Sequence, residues 1–391
     1  MRKIFILSLC LGLSLFGMDY QRFKAEVLQH SKILKAQNLS LQMQEEENRM
    51  LLRSANPELG LEMGGYDQEL GGTDLGYAAN IRQRIRTGTY MQGLKMQAKA
   101  SQLLTKAYTV QGRAGYLKTL EKLYTEYVYE SRMFKLLTRE QKLLQRVAGM
   151  VRARYRSGSD TKVSYLQAKS EASALSAQIF TARAKKEALY RQLLSIASLE
   201  KRVVLDASFI YPVALPEIKS DKPTPKQQLL QAKEKLYESE YAKYKNSFQS
   251  YSIVGGVEEE PDQMIGRVGV DIPLVLFNRQ KEERSLAKLK MHQAKLRNEQ
   301  LAIETEAQKR IHLNTIKALV IQYRALKRLQ REQQELVTLL EEGYKIAKSS
   351  IFNLMRAKNK LIETRKALLK TQKEINEQTI ALRFLEGAYN D

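Results

Sequence analysis

The sequence predicts a mainly α-helical chain with a membrane β-barrel portion: a long α-helical barrel plus four β-strands per protomer, closed by three protomers into a twelve-stranded barrel. Three observations carry this. The segment Arg154-Tyr155-Arg156-Ser157-Gly158-Ser159-Asp160, running on to Leu166 and Ala168, returns as Gly343-Tyr344-Lys345-Ile346-Ala347-Lys348-Ser349, running on to Met355 and Ala357. Tyr155 to Tyr344 and Ala168 to Ala357 share one offset, so a half-unit is used twice. Ahead of each copy, a run of period-two alternation is followed by a long stretch without proline. After residue 17 no stretch is apolar for long enough to cross a bilayer as a helix, so any crossing must use strands.

Residues 1–17 carry Arg2 and Lys3, the apolar run Ile4 to Phe16, and then Gly17. This pattern predicts a secretory signal peptide, too short for a stable span. Leu15 sits where a small residue is preferred at cleavage, which leaves an uncleaved anchor as the alternative. Cys10 is the sole cysteine, and Leu9 before it argues against lipid attachment, so the mature chain is expected to hold no thiol, disulfide or cysteine metal site. The formal net charge of +22 would suit a nucleic-acid partner in a cytosolic protein, but an export signal removes that class.

The first repeat is expected over 18–202. Residues 19–53, polar with spaced apolar positions, predict a helix. A β-hairpin follows over 57–85: Leu59, Leu61 and Met63 alternate with Glu58, Gly60, Glu62 and Gly64, residues 67–74 form a turn-rich connection, and Leu75, Tyr77, Ala79 and Ile81 alternate with Gly76, Ala78, Asn80 and Arg82. Runs of this length suffice to cross an outer membrane, one face towards lipid and the other towards a watery lumen. From about Gly88 to Tyr155 apolar residues recur at three and four, among them Leu117, Leu120, Tyr124 and Tyr127. Such a helix reaches ~100 Å, a length suited to a tube. Gly158 can take the left-handed conformation that ends it, and Asp160 is placed to cap the next helix, about 161–198.

A proline-rich connector over 203–225 leads to the second repeat, 226–391, and is expected to wrap the helical barrel at mid-height. The same order recurs. A helix over about 226–246 precedes a hairpin over 248–276, with Tyr251, Ile253, Gly255 and Val257 on one face, a loop at Glu258 to Asp262, and a return strand through Val268, Val270, Ile272 and Leu274. A long helix then runs from about Arg279 to Tyr344, and after the second turn, where Ser349 and Ser350 keep the capping chemistry, an exit helix spans about 350–387. The two exit helices are short; 19–53 and 226–246, stacked end to end with them, supply the missing length.

Four strands cannot close a barrel, and an open sheet edge in lipid leaves backbone groups unsatisfied at several kcal/mol each. The edges must pair between chains, and three copies give an even, closed number. Catalytic and cofactor chemistry is not legible. His30, His292 and His312 lack neighbours at ligand spacing, His292 and His312 lie ~30 Å apart along one helix, and neither a phosphate loop nor a nucleophile elbow occurs. No enzyme, no cofactor and no resident metal are expected.

At this point the residues resemble the outer-membrane efflux protein (TolC) family over essentially the whole mature chain. The resemblance rests on the duplicated Tyr-x-x-Gly/Ala turn followed by Leu/Met-x-Ala and on the paired strand-to-long-helix transitions. Val270-Asp271-Ile272-Pro273-Leu274-Val275-Leu276-Phe277-Asn278-Arg279 is similar to the run ending in Pro-Leu, then Phe-Asn-Arg, in channels of heavy-metal efflux pumps. The resemblance implies a passive homotrimeric conduit in the outer membrane, in contact with its lipid and extending into the periplasm of a Gram-negative envelope. It would be docked to a periplasmic membrane-fusion adaptor and, through it, to a proton-driven inner-membrane transporter of the resistance-nodulation-division class. Tyr155, Gly158, Ser159, Asp160 and Val163, with Tyr344, Ala347, Lys348, Ser349 and Ile351, map onto the adaptor-docking tips. Asn353 and Arg356 map onto the periplasmic entrance, where the family carries aspartates; three copies of Arg356 would instead form a positive ring. The exported substrate implied is a heavy-metal cation. The alternatives are a multidrug efflux or type I secretion channel, and, from a different class, a periplasmic coiled-coil scaffold or adaptor.

Overall fold

The computed structural model describes residues 17–67, 73–217, 222–260, 262–277, 279–346 and 348–390. The expected signal peptide, apart from Gly17, lies outside the described residues, as do Cys10, Pro261, Asn278 and Ala347. The chain is mainly helical with one four-stranded antiparallel sheet. In chain order its elements are α1 (Tyr20–His30), α2 (Lys32–Leu52), β1 (Glu58–Asp67), β2 (Thr73–Arg86), α3 (Gly88–Arg156), α4 (Lys162–Ala197), α5 (Pro225–Lys243), β3 (Ser250–Glu260), β4 (Gln263–Asp271), α6 (Lys281–Lys345) and α7 (Ile351–Leu385).

Two local expectations are corrected. The single helix expected over 19–53 is broken at Ser31, whose backbone leaves the helical region at ψ 116°. Ser31 is fully buried and closes α1 through a bond from its N–H to the Val27 carbonyl, 2.9 Å, while its hydroxyl accepts from Leu34 N–H at 3.4 Å. A serine that satisfies both helix ends separates them without a proline or glycine to announce it. In the second hairpin, Glu258 to Glu260 are not loop but the end of β3, paired with Gln263 to Ile265, and Ile272 to Leu274 fall beyond β4.

The chain forms two compact units. One comprises residues 1–35, 113–224 and 305–391. Near the turn following α3, its core combines Leu137, Leu144 and Val151 of α3 with Val337 of α6 and Leu354 and Leu361 of α7, while α4 contributes the small Ala168 and Ala172 that let helices approach closely. A second cluster buries Tyr20, Phe23 and Val27, spaced for one helical face of α1, against Leu117, Leu120 and Tyr124 of α3. At its centre Glu121 accepts from three tyrosine hydroxyls: Tyr20 at 3.2 Å, Tyr211 at 2.7 Å and Tyr389 at 2.5 Å. Burial and this carboxylate push all three hydroxyls well above the ordinary tyrosine range.

The connector crosses the helices of this unit by giving its backbone groups to their side chains. The Asp206 carbonyl accepts from the Tyr124 hydroxyl at 2.7 Å, the Ala207 carbonyl from Arg132 Nε at 2.7 Å, and Tyr211 N–H bonds Asn376 Oδ1 at 2.8 Å. Helix ends meet here. Lys32 N–H at the start of α2 donates to Ser198 Oγ, the C-cap of α4, at 3.2 Å, and Asn390 beyond α7 donates to the Pro223 carbonyl ahead of α5 at 2.9 Å.

The other unit comprises residues 36–112 and 225–304. Its sheet runs β1-β2-β3-β4, every neighbour antiparallel, so β2 of the first half pairs with β3 of the second. Leu61, Ala79, Val257 and Gly266 form one cross-strand row, and Leu59, Ile81, Gly255 and Val268 the next. A Cβ on Gly60 would lie 2.7 Å from Asn80 Oδ1, so the asparagine side chain would have to turn aside. Below the sheet the helices touch through small residues. Ala107, Leu229 and Ala232 form a minor core, and a Cβ on Gly93 would come within 2.5 Å of the Lys243 backbone.

Candidate functional site

The first turn is built by the end of α3. Gly158 sits at φ +76°, its N–H bonds the Tyr155 carbonyl at 3.1 Å, and Ser159 N–H bonds the Arg154 carbonyl at 2.8 Å. This left-handed closure satisfies the last carbonyls of the helix, as the glycine predicts. The expectation that Asp160 caps the next helix is corrected: the cap is Thr161, extended at φ −91°, ψ 156°, whose hydroxyl accepts from Ser164 N–H at 3.1 Å. The spacing Thr161-x-x-Ser164 could have signalled this, because a threonine hydroxyl reaches the third N–H of the following helix.

Asp160 is thereby released for a second role. Its Oδ1 accepts Thr161 N–H at 2.8 Å and its Oδ2 accepts the Tyr344 hydroxyl at 2.6 Å. Arg154, for which the sequence carries no signal, completes the link by donating to the Tyr344 carbonyl at 2.7 Å with its guanidinium 4.8 Å from the Tyr344 ring centroid. Burial pushes the Asp160 carboxyl up, but the hydrogen bonds from Tyr344, Ser164 and Thr161 and the charge of Arg154 outweigh it and hold the carboxyl below its ordinary value. Burial and the Asp160 carboxylate push the Tyr344 hydroxyl up.

The second turn is closed differently. The N–H groups of Lys348 and Ser349 both reach the Gly343 carbonyl, at 2.8 and 3.1 Å, Ser349 Oγ donates to the Leu340 carbonyl at 2.7 Å, and Ser350 caps α7 by accepting Phe352 N–H. Through Tyr344 the two turns form one end of their unit. There Tyr155 is 39% exposed and stacks on Tyr165 with ring centroids 6.2 Å apart, and Val163, Ser159 and Lys348 are exposed, whereas Ser349 is partly covered. Tyr344 and Ile351 are buried. Asn353 and Arg356 lie exposed on α7, and Arg356 shares a groove of about 550 Å³ with Gln167, Glu171, Gln333, Lys360 and Glu363. Glu363 is already engaged by Lys366 Nζ at 2.8 Å.

The sheet of the other unit presents two chemically distinct faces. One carries Leu59, Leu61, Met63, Tyr77, Ile81, Val257, Val268 and Val270, all exposed. The opposite face carries Glu58, Glu62, Asn80, Arg82, Glu258, Arg267 and Asp271, with ion pairs from Arg82 to Asp271 at 3.4 Å and from Arg267 to Glu258 at 2.6 Å. Among the described residues, β1 pairs only with β2 and β4 only with β3, so each has an outer edge without a partner strand there. Among the described residues no helix is long and apolar enough to cross a membrane, and no group of three or more His, Cys, Asp or Glu is placed to hold a metal ion. His312 Nδ1 instead meets Gln378 Oε1 at 2.6 Å. The arrangement offers surfaces for association.

No protein-family model and no curated protein matches the sequence. Solved structures do resemble the fold. CusC, described through the conformational changes that accompany its folding and transmembrane channel formation, aligns with TM-score 0.77 at 14% identity over 97% of this chain and 95% of its own. The outer membrane protein VceC of Vibrio cholerae aligns with TM-score 0.76 at 13% identity over 94% and 95%. The open state of the MtrE outer membrane channel of Neisseria gonorrhoeae aligns with TM-score 0.72 at 16% identity over 94% and 88%. The chain shares the fold of these channel proteins along nearly its whole length.

Proposed function

We propose that this chain is one protomer of a homotrimeric outer-membrane efflux channel of the TolC family, set in the outer membrane and extending into the periplasm. The observation that carries the reading is the sheet: one face of exposed apolar side chains, one charged face, and two outer edges that no strand among the described residues covers. In lipid such edges must pair, and pairing between copies around a threefold axis turns the charged face into a watery lumen. The fold shared with outer-membrane channels supports the same reading. The chain is then two structural repeats, 18–202 and 226–391, joined by the connector at 203–225 and preceded by a signal peptide over 1–17. The tips around Tyr155 to Val163 and Tyr344 to Ile351 dock a periplasmic adaptor that couples the channel to an inner-membrane transporter of the resistance-nodulation-division class. The conduit itself does no chemistry and needs no cofactor.

Within that family the run Val270 to Arg279 supports a heavy-metal pump, and its cargo would be metal cations. The decisive experiment expresses the chain in a Gram-negative host. Heat-modifiable trimers in the outer-membrane fraction and stepwise conductance in planar bilayers are expected; a heat-insensitive species in the soluble periplasm would identify a scaffold. Deletion in the native host should sensitise cells to zinc, cadmium, nickel, cobalt or copper salts. Sensitisation to drugs alone would replace the metal assignment with a multidrug one.

A further inference from the structure

We infer that the charged face of the sheet is an electrically polarised passage, with an oxyanion-binding belt built by Arg84 and Arg86 where the strands meet the helices and a carboxylate belt at the hairpin end; this rests on the proposed channel function. Strand β2 contains Arg82-Gln83-Arg84-Ile85-Arg86, so its three arginines share one face. The register sets them in successive rows: Glu58, Arg82, Val254 and Gly269, then Arg84, Ser252 and Asp271, then Arg86 and Ser250. Arg82 stands opposite Glu58 and meets Asp271 at 3.4 Å. Arg84 and Arg86 have neutral partners instead. Arg84 Nε donates to Ser250 Oγ at 2.9 Å and Arg86 to the Leu51 carbonyl at 2.7 Å, and neither enters an ion pair among the described residues. Both border a polar groove of about 540 Å³ whose lining includes Ser54, Gln249 and Ser250 and, among the described residues, no carboxylate. A guanidinium gives two parallel bonds to a phosphate-type anion, and arginines two apart on a strand stand about 7 Å from each other, a span that two linked phosphoryl groups can bridge. Because β2 and β3 are the inner strands, pairing of the outer edges between copies leaves these rows open.

The other end of the same face has the opposite sign. Its rows carry Arg267, then Glu62 and Glu258, then Glu260. Arg267 is engaged by Glu258 at 2.6 Å, Glu260 accepts only from Gln263 Nε2 at 2.8 Å, and neither Glu62 nor Glu260 has an ion-pair partner among the described residues. From the row of Arg84 to the row of Glu62, which holds Ala78, is six residues of β2, or about 20 Å. The screening length at 0.1 M salt is about 10 Å, so the two belts act separately and do not cancel. Around a threefold lumen the inner belt gathers anions and the outer belt cations. A voltage that draws both ions inward fills the passage, and the reverse voltage empties it. The current therefore rectifies.

The test uses single trimers of the full-length protein in phosphate-free monoolein bilayers. At 0.1 M KCl the current at one polarity should exceed that at the other about twofold, and the asymmetry should fade at 1 M KCl, where the screening length shrinks to about 3 Å. Inorganic pyrophosphate on the periplasmic side should reduce the conductance. In Arg84→Gln, Arg86→Gln the block should weaken about tenfold and the asymmetry shrink, whereas Arg84→Lys, Arg86→Lys should keep the asymmetry and lose part of the block, because charge remains and the fork does not. Glu62→Gln, Glu260→Gln should shrink the asymmetry and leave the block intact. Heat-modifiable migration verifies that each variant is a trimer. Symmetric currents in the wild type at 0.1 M KCl, or an unchanged block in the glutamine variant of the arginines, overturn the inference while the conducting steps leave the channel function standing. Relief of the block by phosphatidylglycerol added to the bilayer also overturns it, since the groove would then hold a lipid headgroup. Absence of conducting steps removes the channel function and this inference with it.

Discussion

The carboxylate of Asp160 and the hydroxyl of Tyr344, 184 residues apart in sequence, lie 2.6 Å from each other and fasten one turn to the other. Asp160 belongs to the first copy of the repeated segment and Tyr344 to the second. The duplicated halves are therefore joined by a bond that neither half could make with its own copy, since the tyrosine of the first, Tyr155, stacks outward on Tyr165.

This bond has a pH signature. Because the Asp160 carboxyl is held below its ordinary value, its stabilisation is fully present above the unfolded carboxylate range and is lost as pH falls through the lower, folded value. Hydrogen exchange of the segments around 158 and 346 should be slow at neutral pH and rise only below about pH 4. Tyr344→Phe or Asp160→Asn should show fast exchange already at neutral pH, and a hydrogen bond to a charged group sets the scale at about 1.5–3 kcal/mol. Identical exchange profiles in wild type and variants would remove the latch.

Gly158 at φ +76° occupies a conformation closed to proline. Gly158→Pro should leave trimer abundance normal and abolish efflux, because only the turn is reshaped. Retained efflux would show that this turn does not dock.

The sheet faces predict an asymmetry between strand positions. Leu61 and Val270 lie on the apolar face, so arginine at either should impair membrane assembly at about 2–4 kcal/mol near the bilayer midplane. Glu62, exposed on the opposite face, should tolerate the same change. Equal trimer yields for all three variants would contradict the assignment of the faces.

Arg356 shares its groove with Glu171 and with Glu363, the latter held by Lys366. If it lines the entrance, Arg356→Asp should shift the ion preference of single channels towards cations and make conductance sensitive to divalent ions added on the periplasmic side. Unchanged selectivity would place Arg356 away from the pore.

Glu121 gathers Tyr20 of α1, Tyr211 of the connector and Tyr389 beyond α7 onto α3. Glu121→Leu leaves three hydroxyls without their acceptor, at about 1–3 kcal/mol each. A large drop in thermal midpoint is expected, with Glu121→Gln losing less. A midpoint equal to wild type for Glu121→Leu would show that water replaces the carboxylate.

What the sequence determined by itself was set by short-range rules. Leu59, Leu61 and Met63 alternating with Glu58, Gly60 and Glu62 can only be a two-faced strand, a proline-free stretch with apolar residues at three and four makes α3 or α6, and Gly158 ends a helix because its backbone alone takes that φ without strain. The tertiary structure decided everything that depends on a distant partner. Tyr155 and Tyr344 hold the same place in the repeat, yet one is 39% exposed and the other 3%. Asp160 surrendered the cap to Thr161 because Tyr344 was there to take it, and Ser31 broke a helix that its neighbours in sequence would have continued. Periodicity records which face a residue occupies; which side chain waits opposite that face is set only when remote segments pack.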